Sequence, residues 1–230
     1  MADARTERWV THRAQVRRSL VESAMRAIDV TGPQVSMREI AAEAKIPKPT
    51  LYRFFADKSE LANAIGDRVR DTLTERIANG PTETGATLGT FLHSGIATYL
   101  ELADEHPNIF RFVMLTMSES TEFASEGINR VTTPAMDLAA VLRTIVKALG
   151  GTDTDVDLTA YMLVGSIMSA GHWWLIHGGA DGADMSRIID KVEQNARALI
   201  QTTAHANGIH LDFDAPIAGY FAAAPIAVAK

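Results

Sequence analysis

Apolar residues recur along this chain at three- and four-residue steps, the spacing that gathers them on one face of an α-helix. Nowhere do they alternate with polar residues long enough to make a strand. Val16, Leu20, Ala24 and Ile28 form the first stripe and predict a helix over 11–30, stopped by Thr31-Gly32-Pro33. Ser36-Met37-Arg38-Glu39 has capping-box spacing: the serine hydroxyl takes the amide three residues on and the glutamate reaches back. It opens a short helix over 37–44 with Ile40 and Ala41 inward. Lys45-Ile46-Pro47 predicts a tight turn. Pro47 has no amide hydrogen and a φ suited to a first helical turn, so a second short helix starts there and runs through Thr50, Leu51 and Tyr52 towards Phe54. Asp57-Lys58-Ser59-Glu60 repeats the capping pattern ahead of a longer helix carrying Leu61, Ile65 and Val69, which Asn79-Gly80-Pro81 ends.

Beyond that point the pattern stays helical, over 87–103, from Pro107 through Met117, over 131–149, 158–177 and 185–205. The fold class expected is therefore all-α, about nine helices, with a three-helix head over 11–60, a larger helical body over 61–206 and a weakly structured tail over 207–230. Leu158 to Ala180 holds 23 residues without Asp, Glu, Lys or Arg, long enough in principle to cross a bilayer. It contains His172, His177, Ser166 and Ser169, ends in glycines and lacks a basic flank, so the expectation is a helix buried on most of its circumference, with no membrane partner.

Charge adds a direction. The formal net charge is −6, which alone would count against nucleic acid, but residues 1–60 hold 11 basic and 8 acidic side chains, a net of +3, and the rest is acidic. The absence of Cys excludes disulfide scaffolds, Cys-ligated zinc, iron–sulfur centres and thiol nucleophiles and is compatible with a cytoplasmic setting.

Two short helices joined by a tight turn and braced by a longer helix make a helix-turn-helix. The stretch Thr50-Leu51-Tyr52-x-x-Phe55-x-x-Lys58-x-x-Leu61, within a segment of about residues 14–65, resembles the DNA-binding head of the tetracycline-repressor (TetR) family of bacterial regulators. Two positions depart from the family pattern: Lys45 stands where Gly is usual in the turn, and Pro47 where Ser or Thr usually caps the recognition helix. Losing a hydroxyl cap costs about 1 kcal/mol. Neither departure removes a base-reading side chain. The resemblance implies that the helix from Pro47 to Phe54 lies in the major groove of double-stranded DNA. There Lys48, Thr50 and Arg53 carry donors for base edges or phosphates, with Arg53 suited to bidentate guanine readout, and Pro49 offers apolar surface to a thymine methyl. Tyr52 and Lys58 are expected on phosphates, Lys58 with the help of its helix N-terminus, and Ser36 and Arg38 are further backbone contacts. Arg5, Arg8 and Arg13 are candidates for an arm on the minor groove or phosphates. Leu51, Phe55, Ile40 and Leu61 are expected to form the small core that holds the helices.

The resemblance further implies a homodimer through the last two long helices, about 155–177 and 185–205, bound to an inverted-repeat operator. It also implies an effector cavity in the body, nearest which we place Phe91, Phe110, Met114, Met117, Met136, Trp173 and Trp174. The effector expected is small and apolar or lipid-like, with a polar handle met by His93, Tyr99, His172 or His177. Release of the operator on effector binding makes the expected function a repressor. No enzyme and no cofactor is expected: there is no Gly-rich phosphate loop, no Gly-x-Ser-x-Gly elbow and no His-Glu-x-x-His. Asp153, Asp155 and Asp157 resemble the start of a calcium loop, but its glycine and closing glutamate positions hold Leu158 and Val164. His172 and His177 do not share a helix face, which disfavours zinc. The alternative in another class is a small-molecule-binding helical protein whose head serves interaction without operator recognition.

Overall fold

The computed structural model describes residues 4–79, 86–119, 123–178 and 184–216, and among these the side chains of all but 4–8, 117–119 and 123–132. The described residues form nine α-helices and one isolated antiparallel bridge, Thr87 to Pro216. The chain divides into two compact units, Met1–Thr72 with His106–Phe123, and Leu73–Glu105 with Ala124–Lys230.

The first unit is built on α1 (Ala4–Thr31), α2 (Met37–Glu43), α3 (Lys48–Tyr52), the start of α4 (Lys58–Ala78) and α6 (Pro107–Glu119). α1 begins seven residues before the apolar stripe predicts: residues 4–10 hold no Gly or Pro, and their sequence carries no apolar repeat that would register as periodicity. Leu20, Ala24 and Ile28 of α1 pack with Ile40, Leu51, Phe55, Leu61 and Ile65, all buried. The capping box before α2 forms as expected: the Glu39 amide donates to Ser36 Oγ at 3.3 Å and the Ser36 amide to Glu39 Oε2 at 2.8 Å. The box before α4 forms with one shift, the Glu60 amide donating to Asp57 Oδ1 (2.8 Å) while Glu60 takes the amide of Ala56 (2.7 Å).

Between α2 and α3, Lys45 stands at φ 54, in the left-handed region, and its amide and that of Ile46 close the end of α2 onto Ala42 and Ala41. A β-carbon there is strained, which glycine would relieve. Lys45→Gly is expected to stabilise the protein by about 0.5–1 kcal/mol, the relief outweighing the added freedom of the unfolded chain. The measurement is the denaturant midpoint at constant slope, and an unchanged or lowered midpoint would count against strain at this turn.

α6 departs from the sequence expectation. Ile109 and Phe112 complete the core of the first unit, His106 Nδ1 lies 3.1 Å from Asp29 Oδ2, and Asn108 donates to the Asp29 carbonyl. The segment read as body thus serves as a brace of the head.

The second unit contains α5 (Leu88–Glu105), nearly all of α7 (Phe123–Ala148), α8 (Val156–His177) and α9 (Met185–Ala206). Ile96, Leu100, Leu163, Ile189, Val192 and Ala196 form its core, with Leu138 and Leu142 of α7 against them. α7 starts earlier than the expected residue 131 and runs through Pro134. The expected tail is corrected over 207–216. Buried Asn207 accepts from the Thr152 hydroxyl (2.7 Å) and the Thr154 amide (2.8 Å), and the Gly89 amide of α5 donates to the Phe213 carbonyl. These are long-range polar contacts that cap free helix ends, and no local periodicity announces them. Residues 217–230 lie outside the described residues. α8 is corrected too: Leu158, Met162, Trp173 and Ile176 are exposed along one side. No helix among the described residues is long and apolar enough to cross a membrane.

Candidate nucleic-acid interface

The recognition element is short, so its two faces divide sharply. Leu51 and Phe55 are fully buried, one helical turn apart. Pinned by these anchors, the same turn and a half presents Lys48, Pro49, Tyr52 and Arg53 to solvent, with Thr50 half-buried. Pro47 caps α3 at φ −63 without a side-chain hydrogen bond; its carbonyl takes the Thr50 amide at 2.8 Å, so the helix starts on backbone geometry alone. Lys48 Nζ lies 5.4 Å from the centre of the Tyr52 ring, and Arg53 Cζ 5.7 Å from that of Phe54. Both cations are stacked beside the exposed face, a fixed geometry for groups that otherwise sample many rotamers.

Ser36 and Arg38 are exposed at the opening of α2. The Ser36 hydroxyl is engaged on both sides by Glu39, accepting from its amide and donating to Oε2 at 2.7 Å. The Ser36 side-chain and backbone hydrogen bonds hold the Glu39 carboxyl below its ordinary pKa. Ser36 is therefore first a cap. Lys58 is half-buried with its ammonium 4.9 Å from the Phe112 ring centre, a partner that the sequence pattern does not indicate. Arg13, a candidate arm residue, lies in a row beside α3 whose aromatic members the sequence reading did not name: its Cζ is 5.7 Å from the Phe54 ring centre and 5.6 Å from that of Trp9. The row's signal is the Phe54-Phe55 pair just after α3: Phe55 is fully buried, and Phe54 packs against the same core only in part and keeps a face for the guanidinium groups.

The residues expected around an effector are not gathered. Phe91, Met136 and Trp173 are exposed, Trp174 is half-buried and donates its indole N–H to Asp104 at 2.8 Å. Phe110 is buried and Met114 half-buried in the first unit, and Met117 lies outside the described side chains. Of the polar handles, Tyr99 rests against Gly171, where a β-carbon would come within 2.7 Å of its ring, and burial raises its phenol pKa. His172 is exposed, as is His177, whose ring stacks on Trp173. A depression of about 450 Å³ is lined by Arg187, Asp190, Lys191 and Gln194, none of them among the expected residues. Nearby, ligand atoms of His93, Asp190 and Glu193 lie within 4.8 Å of one another. Burial acts to raise the Glu193 pKa, but hydrogen bonds from His93 (2.6 Å) and Arg197 (2.7 Å) outweigh it and hold the carboxylate low, so its oxygens are already occupied.

Residues 20–65, the helices just described, match the family model for bacterial regulatory proteins of the tetR family. An HTH-type transcriptional regulator of Mycobacterium tuberculosis is 34% identical over 175 residues, 75% of this chain and 73% of that protein. The chain belongs to the TetR family. It is a DNA-binding transcriptional regulator, and α3 lies within the stretch that matches the family model. The fold agrees with that of a TetR-family regulator from Streptomyces coelicolor (TM-score 0.59, 22% identity, 85% of this chain and 84% of that one). It also agrees with that of a TetR variant from Acinetobacter baumannii in complex with minocycline (TM-score 0.54, 13% identity, 82% and 96%).

Proposed function

We propose that the protein is a cytoplasmic repressor that binds an inverted-repeat operator as a homodimer and leaves it when a small apolar effector binds the second unit. The observation that carries the DNA half is the division of α3: Leu51 and Phe55 at 0% exposure, with Lys48, Tyr52 and Arg53 facing solvent. A short helix so anchored can enter the major groove without reorganising. Arg53 supplies the planar fork that matches guanine O6 and N7, Thr50 and Pro49 complete the base contacts, and Lys48 and Tyr52 reach phosphates. Ser36 and Arg38 add backbone contacts at the start of α2, and Lys58 joins them by leaving the Phe112 ring. Two half-sites require two heads, and the exposed apolar side of α8 suits a twofold interface.

The effector reading is supported by the shared fold with a protein seen bound to minocycline and by the exposed apolar side chains of Phe91 and Met136 in the second unit, Trp173 lying on the side of α8 assigned to the twofold interface. Trp174 joins this set, whereas Phe110, Met114 and Met117 belong to the first unit and stand outside it. Binding to the second unit would act on DNA as a coupling between distinct sites.

The test is selection of bound sequences from random duplex DNA, followed by titration of the enriched operator. Arg53→Ala is expected to cost about 1–3 kcal/mol, a ten- to hundredfold loss of affinity, and to relax preference at one position of each half-site. No enrichment at low salt would sink the operator reading. The effector half fails if no apolar compound from a broad panel releases the operator while raising the melting temperature of the free protein.

A further inference from the structure

The start of α1 carries Arg13, a candidate arm residue in the sequence, on a surface that the proposed operator contacts of α2, α3 and α4 do not include. Residues 9–15 are all exposed, and among the described side chains of the helix the first buried one is Leu20. Trp9 is 61% exposed, a large apolar face left in water. Helical turns that bury nothing are marginal without some other tether. Here the tether is a stack: Arg13 Cζ lies 5.6 Å from the Trp9 ring centre and 5.7 Å from that of Phe54, whose ring also has Arg53 Cζ at 5.7 Å. Trp9, Arg13, Phe54 and Arg53 thus form one continuous row, from the start of α1 to the end of the recognition helix.

The chemistry of that row points to a partner. From Trp9 to Leu20 the chain holds Arg13, Arg17 and Arg18 and no Asp or Glu. Arg17 is paired with Glu60, but among the described residues neither Arg13 nor Arg53 has an acidic partner. A guanidinium stacked on a ring uses its faces and keeps its five N–H donors, which lie in its plane, for a planar or tetrahedral anion. The Trp9 indole adds a donor of its own. We propose that the first described turns of α1 are a second DNA-contacting surface, on which Arg13 and Trp9 grip the phosphate backbone flanking each half-site. This rests on the operator reading above and extends it beyond α3, through a row that joins the two surfaces. The occupant is the backbone of the same duplex and not a base edge.

The experiment compares the full-length wild type with the Trp9→Ala/Arg13→Ala double variant on the selected operator, over a series of salt concentrations and by footprinting. Losing one phosphate contact per half-site is expected to lower the slope of log affinity against log salt by about 0.9 for each, roughly 2 for a dimer. Affinity should fall about tenfold at moderate salt, the enriched sequence should stay the same, and protection should shorten at the outer edges. Arg13→Lys, which keeps the charge and loses the planar fork, should lie between the two. Because the stack also tethers these turns, Arg13→Gln with Trp9 retained is the control: it keeps a helix-forming side chain without the charge and should lower the salt slope by the same amount while the helical content stays that of the wild type. An unchanged slope and footprint overturn the proposal while leaving the operator reading intact. A changed base preference at the flanks overturns the backbone assignment. Absence of any duplex binding by the wild type overturns both.

Discussion

Phe55→Ala is expected to destabilise the protein by about 3–5 kcal/mol, against a total of about 5–15 kcal/mol for a typical domain. The ring is fully buried among residues of α1, α3 and α4, and the Arg17 guanidinium, 4.8 Å from its centre, covers it on one side. Truncation removes the transfer free energy of the ring and leaves a cavity that helices held by short turns cannot close. It also strips Arg17 of its stacking partner and leaves it on Glu60 alone, a partly exposed pair of small worth. Phe54→Ala is the control. That side chain is one position away and half-buried, and its loss should cost about 1 kcal/mol or less. Denaturant titration of the two variants reads the difference directly. Equal costs would mean that the residue pair is not divided between core and surface, and the orientation assigned to α3 would fall with it. Because Leu51 and Phe55 aim Tyr52 and Arg53, Phe55→Ala should also lose operator binding at temperatures where the second unit stays folded.

The head was legible because several local rules agree there. Ile40, Leu51, Phe55 and Leu61 are expected as one core from the resemblance together with the helical spacing, and each is fully buried. Ser36 and Glu39 announced a cap that forms as read, and Lys45 stands in the left-handed conformation that its place in the turn demanded. What spacing cannot say is which surface a stripe meets. α6 has a helical stripe, but only the folded chain shows that Ile109 and Phe112 fill the head and that Phe110 and Met114 belong to the first unit. Polar contacts across long separations leave no periodic trace, which is why Asn207 holding the Thr152 and Thr154 loop escaped reading. An effector site assembled from several helices is the extreme case. Its residues need share no spacing, and the bulk of Phe91, Met136 and Trp173 carries no information on where the chain places them.

The exposed side of α8 was misread for a different reason, and it carries the other large prediction. A helix apolar all round reads as buried, yet Leu158, Met162, Trp173 and Ile176 are between 47% and 64% exposed in the single chain. At 100° per residue these four and Gly165, Ser166 and Ser169 fall within about 120° of the helix circumference. Small residues sit in the middle and bulky ones at both ends, and a β-carbon added at Gly165 meets nothing within 4 Å. Such a stripe lets a twofold mate approach closely at the centre and interlock at the ends, which is how the proposed homodimer would bury it. Met162→Glu combined with Ile176→Glu would then place four carboxylates in one interface, each costing several kcal/mol when desolvated without a partner. The expected result is a monomer by light scattering, with the helical content of the wild type, since both positions face solvent within the chain. Losing the second head removes the linked half-site, and operator affinity should drop by roughly 10²–10⁴ while weak binding to an isolated half-site persists. A double variant that remains a dimer and holds the operator as the wild type does would exclude this face of α8 from the interface.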